Sequence, residues 1–162
     1  MEKDCDLARS IYNWSMKSAG RNRLIWLARV LIAAVTVMNV LEAMQFMFAP
    51  QNFAAGFEMS GVVGEAMMRG MGVLFLMWSV PYVFASIQPV RYQIALLSAV
   101  IMQFIGGAGE SLILATIPET HAMVHASVTR FILFDGGGLI VLLCALFLVS
   151  LTTRPHVKNS EH

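Results

Sequence analysis

Long apolar runs alternating with short polar, proline-bearing stretches give this chain its pattern. Crossing the hydrocarbon core of a bilayer takes a helix of roughly 20 mostly apolar residues. Four runs meet that requirement: "LIWLARVLIAAVTVMNVLEAMQFMF" at 24–48, then 62–86, 92–116 and 128–152. Pro50, Pro89, Pro118 and Pro155 lie just beyond the four runs, where a residue without an N–H ends a helix. Pro81 falls inside the second run, one turn from its end, and predicts a kink there. The pattern therefore predicts an all-α integral membrane protein, and the short connections predict an up-down-up-down four-helix bundle.

The ends read differently. Residues 1–23 are polar, and "DLARSIYNWSMKSAGR" sets Leu7, Ile11, Trp14 and Lys17 at helical spacing, as in an amphipathic helix lying on the membrane surface. The apolar run that follows is longer than the about 7–15 residues of a signal-peptide core, so the expectation is an uncleaved signal anchor. Residues 153–162 form a polar tail.

Composition agrees: 57 % of the 162 residues are hydrophobic, 13 % are charged, and mean hydropathy is +0.68, too apolar for a soluble domain of this size. A net charge of +1 provides no basic field for nucleic acid. Cys5 and Cys144 stand far apart with no CxxC, which argues against thiol-disulfide chemistry.

The distribution of charge says more than its sum. Lys3, Arg9, Lys17, Arg21 and Arg23 precede the first span, Arg91 separates the second from the third, and Arg154 and Lys158 follow the fourth. The stretches 49–61 and 117–127 contain no Lys or Arg. Positive residues stay inside, so both termini are expected in the cytoplasm, with Trp26, Tyr82 and Tyr92 in an inner aromatic belt.

At about 1.5 Å per helical residue, Glu42 and Glu110 lie about 9 Å below the outer ends of their spans. Glu65, Arg69, Arg130 and Asp135 fall between about 3 and 11 Å on the same scale. All four spans thus bring ionisable groups to one slab of the outer half. Each would cost about 2.5–3.5 kcal/mol unpaired at the bilayer centre, so they are expected to face inward and to pair. Glu65 and Arg69 pair at i,i+4, and Arg69 is expected to reach Glu42 or Glu110 as well. Asn39, Glu42 and Phe46 share one helix face; Gln103, Gly106, Gly107 and Glu110 share another. The glycines of "GGAGES" and "DGGG" let neighbouring backbones approach Glu110 and Asp135. Asn39, Glu42, Glu65, Arg69, Gln103, Glu110, Arg130 and Asp135 therefore make up the candidate site: either polar glue for the bundle or a polar cavity, open to the outer face, for an ion, proton or headgroup-like ligand. Arg130 does not share a face with Asp135 and is the member closest to the interface.

Two histidines, His121 and His125, stand at i,i+4 in "PETHAMVHAS" and would reach one metal from a helix. Met44, Met47, Met59, Met67, Met68, Met71 and Met123 lie near the same end, and thioethers with imidazoles suit Cu(I). Without HExxH the pair is first a polar loop, and methionines are first packing residues. No cofactor is predicted; a quinone, a lipid or copper are the groups this chemistry would accommodate.

The stretch "APQNFAAGFEMSGVVGEAMMRGMGVLFLMWSVPYVFASIQPVRY" resembles the helical hairpin of small bacterial four-helix membrane proteins of the DoxX-like kind, with the Arg69-Gly70 pair opening the second span. That resemblance implies a four-helix bundle and, in some members, redox partners or quinone chemistry; it assigns no catalytic residue. The leading expectation is a non-enzymatic module that binds a small ligand or lipid, or a subunit of a larger membrane complex or homo-oligomer. The alternative is a small membrane isomerase or quinone-linked oxidoreductase using Glu42, Glu65, Glu110 or Asp135 as acid or base.

Overall fold

In a computed structural model, the backbone is described from Glu2 to Thr153 and side chains from Gly20 to Thr153. Four long helices carry the chain: α1 (Glu2–Phe48), α3 (Gly61–Ile87), α4 (Gln93–Thr116) and α5 (Ala122–Thr153), with a short α2 (Gln51–Ala54) between the first two. Segments Gly20–Phe48, Gly61–Ile87, Gln93–Thr116 and Ala122–Thr153 are each long and apolar enough to cross a membrane. The protein is therefore all-helical among its described residues and an integral membrane protein. The leader is helical and continuous with the first span. The side chains that would make it amphipathic, and the tail, lie outside the described residues.

Consecutive long helices pack side by side, and the ring closes where α1 meets α5. Residue pairings give each contact its sense. Gly72 lies against Ala43 and Met47, while Arg29 reaches Ser86, so α1 and α3 run antiparallel. Gln103 meets Gly138 and Gly106 meets Asp135, so α4 and α5 do too.

Small residues make these approaches close. On α3, Gly64, Met68 and Gly72 form a buried ridge. A Cβ at Gly72 would stand 2.8 Å from the Ala43 carbonyl oxygen, so only glycine permits this spacing of α1 and α3. Within α3 the helix continues through Pro81, and Ser79 Oγ donates to the Phe75 carbonyl one turn back, 2.8 Å away.

Layers stack along the bundle axis. Nearest the α3–α4 turn is an apolar core that includes Ala28, Ile32, Ala85, Leu96, Leu142 and Val149. Buried Asn39 and Gln103 follow at mid-bundle. Phe46 then gathers Phe53, Phe75 and Phe131 at centroid distances of 4.6, 5.5 and 5.8 Å. The outward surface stays apolar: Val62, Ile94 and Leu133 are 84, 82 and 72 % exposed, as lipid-facing side chains are.

Two features depart from the sequence pattern. The stretch 49–61 is not open loop but holds α2 and a 3-10 turn (Ala55–Phe57), pinned by Ser127 Oγ donating to the Gly56 carbonyl at 2.8 Å. The last helix begins at Ala122, ahead of the apolar run at 128. Hydropathy marks where hydrocarbon begins, whereas helical hydrogen bonding extends into the headgroup region.

Candidate functional site

Gln103 is the pivot of the mid-bundle polar layer. Its Nε2 donates to Asp135 Oδ1 at 2.8 Å, and its Oε1 accepts from the Tyr82 hydroxyl at 2.7 Å. An acceptor-only carboxylate on one side and a hydroxyl on the other fix the direction of the amide. The chain Tyr82 to Gln103 to Asp135 thereby links α3, α4 and α5. The Tyr82 hydroxyl also stands 3.1 Å from the Ala99 carbonyl, a second acceptor for its single proton.

Glycines on facing helices make the link possible. Asp135 lies over Gly106 of α4, where a Cβ would overlap Oδ2. Reciprocally, Gln103 crosses Gly138 of α5, where a Cβ would come within 2.7 Å of Nε2. Each polar side chain thus spans the space that a glycine leaves on the opposite helix.

Beside this layer is a cavity of about 430 Å³. Asn39, Tyr82, Gln103, Glu110 and Asp135 supply its polar atoms, and Met71, Phe75, Trp78, Met102, Ile105 and Ile113 its apolar walls. Alpha1 contributes only Asn39 and α5 only Asp135, so the cavity is a cleft between α3 and α4. Its rim residues Trp78, Ile105 and Ile113 are 47, 62 and 52 % exposed on the lipid-facing side. These exposed apolar side chains set the cleft beside the outward, apolar surface of the bundle. Glu110 Oε2 is buried with no hydrogen-bond partner among the described residues.

Four of the eight sequence candidates, Asn39, Gln103, Glu110 and Asp135, thus share one site. The others separate from it. Glu65 and Arg69 pair with each other at 3.1 Å, their side chains 38 and 56 % exposed, and Arg69 makes no ion pair with Glu42 or Glu110 among the described residues. The expected network through Arg69 does not form, because α3 packs through its Gly64–Met68–Gly72 ridge, with Gly72 on α1 and Gly64 on Ala54 and Met59, and Arg69 turns away from it. Glu42 is half-buried and Arg130 exposed, and the two form no ion pair among the described residues. The single charged slab therefore does not form one network.

Tyr82 is the site residue that the sequence reading placed elsewhere. It is 2 % exposed and hydrogen-bonded, not a member of an interfacial belt. Its spacing from Phe75 and Trp78, at i+7 and i+4, was the available signal, since a buried tyrosine hydroxyl needs a partner.

The histidines take separate partners: His121 Nδ1 lies 2.6 Å from Glu58 Oε2, and His125 Nε2 lies 3.0 Å from the Ile117 carbonyl. His121 flanks the start of α5, its carbonyl accepting from the His125 N–H at 3.0 Å, so the two histidines stand one helical turn apart yet their rings hold different partners; no group of three or more His, Cys, Asp and Glu side chains that could hold a metal occurs among the described residues. The Glu58 contact ties the 49–60 segment to the start of α5, and the Ile117 contact ties α5 to the end of α4. No protein-family model, curated protein or solved structure matches this chain.

Proposed function

We propose that the protein is a membrane binding module that takes a small apolar ligand bearing a hydrogen-bonding head, of the lipid or quinone class, into the α3–α4 cleft. One observation carries this reading: an apolar-walled cleft, bordered by exposed Trp78, Ile105 and Ile113, also holds Gln103, Asp135 and the unpartnered Glu110 Oε2. Its volume falls within the roughly 300–1,000 Å³ usual for small-molecule sites. A cleft beside the apolar outward surface suits a ligand that partitions into the bilayer, and the polar layer offers both donors and acceptors to its head. Quinone chemistry is also what the DoxX-like resemblance implies, although Arg69-Gly70, which carries that resemblance, lies outside the cleft.

The enzymatic alternative rests on the same two carboxylates, Glu110 and Asp135, which would serve as acid or base to a bound head group. The Lys and Arg distribution supports cytoplasmic termini, and the DoxX-like resemblance supports a bacterial inner membrane. Labelling of cysteines placed at Asn52 and Thr120 from the cytoplasmic side alone would reverse that orientation.

Gly109 supplies the test of binding. It lines the cleft, and a Cβ there meets nothing within 4 Å, so Gly109→Phe fills the space without disturbing helix packing. Solvent extraction and mass spectrometry of the purified protein are expected to find a lipophilic compound at near-stoichiometric amount, lost in Gly109→Phe while the variant's melting in detergent is unchanged. The same compound at the same stoichiometry in both proteins would refute binding in the cleft.

A further inference from the structure

At the opposite end of the bundle, a second cavity of about 460 Å³ is lined by Arg21 and Arg29 of α1, by Arg91 and its neighbours in the α3–α4 turn, and by Thr152 of α5. We propose that this arginine-lined groove binds the phosphate headgroup of an anionic phospholipid.

Three arginines line one space, and among the described residues none is paired with a carboxylate. The acids whose side chains are described, Glu42, Glu58, Glu65, Glu110, Glu119 and Asp135, all lie toward mid-bundle or the other end. Arg29 is held in place, its Nε donating to the Ser86 carbonyl at 3.2 Å and its guanidinium 5.9 Å from the Trp26 ring. Arg91 stands 5.5 Å from the Tyr92 ring. Guanidinium groups steadied in this way offer the forked donors that match phosphate oxygens.

The apolar residues decide between a lipid and a free phosphate. Ile25, Ile87 and Val90 line the groove beside the arginines, so the space joins an anion-binding wall to an acyl-facing one. Trp26, 64 % exposed, together with Tyr92 marks the level of the membrane interface, where headgroups lie. A basic pocket between helix ends at that level is the arrangement that selects anionic headgroups over zwitterionic ones.

Native mass spectrometry of the full chain, released from micelles containing phosphatidylglycerol or phosphatidylcholine, tests the proposal. The wild type is expected to retain phosphatidylglycerol preferentially. The double variant Arg21→Gln, Arg91→Gln is expected to lose about thirtyfold in relative affinity, equivalent to about 2 kcal/mol for two cationic contacts, with phosphatidylcholine retention unchanged. Arg29 is left intact because its Ser86 contact also holds α1 to α3. If the double variant fails to fold, Arg91→Gln alone is expected to lose about fivefold. Unchanged phosphatidylglycerol retention would overturn the proposal. Displacement of the lipid by equimolar inorganic phosphate would overturn it in favour of a soluble anion.

Discussion

Replacing Gln103 by leucine removes two hydrogen bonds at once, and the structure says that they are not of equal weight. The donor to Asp135 Oδ1, at 2.8 Å, serves a carboxylate for which no other side-chain donor is present among the described residues. The acceptor for Tyr82, at 2.7 Å, has a substitute in the Ala99 carbonyl at 3.1 Å. Interhelical side-chain hydrogen bonds in membranes average about 0.6 kcal/mol and reach about 1.7. A bond to a carboxylate belongs at the upper end of that range, and one with a ready replacement at the lower end. Double-mutant cycles separate the two. Gln103→Leu with Asp135→Ala is expected to give a coupling of about 1.5 kcal/mol, and Gln103→Leu with Tyr82→Phe about 0.5 kcal/mol or less. Unfolding by SDS in mixed micelles, followed by far-UV circular dichroism, measures both. A Tyr82 coupling equal to or larger than that of Asp135, or two couplings near zero, would show that Gln103 is not the pivot of the layer.

Two further variants probe the packing and the separated charges. Gly72→Ala sets a Cβ against the Ala43 backbone, which cannot rotate aside as a side chain would, so a loss of about 1–3 kcal/mol is expected in the same unfolding assay; an unchanged or more stable protein would contradict the close approach. Removing both members of the local pair, Glu65→Gln with Arg69→Leu, strands no charge and is expected to change stability by about 0.5 kcal/mol or less. A larger loss that recovers as pH falls would reinstate a buried network through Arg69.

Of the fold, the four spans were legible because the thickness of hydrocarbon imposes a length on every helix that crosses it, and composition records that length directly. Of the site, depth was legible and azimuth was not. Counting residues from a span's end fixes one coordinate, so Glu42, Arg69, Glu110 and Asp135 came out at one level, but level alone does not decide which of them meet. The missing coordinate was present in the small residues. Successive helical residues turn by about 100°, so the ridge Gly64–Met68–Gly72 leaves Glu65 and Arg69, each one residue on, about 100° away from it. On α4 the same logic worked in favour of the reading. Gly106 and Gly107 mark the face turned to α5, Gln103 and Glu110 share it, and the glycine that admits Asp135 lies one turn from the glutamine that binds it. On α3 and α4, a charged residue or amide therefore joins the site when it shares a face with the glycines that bring a second helix close, and turns outward with a local partner when it does not. Tyr82 extends the rule beyond charge: its face is set by Phe75 and Trp78, and burial then requires its hydroxyl to find Gln103.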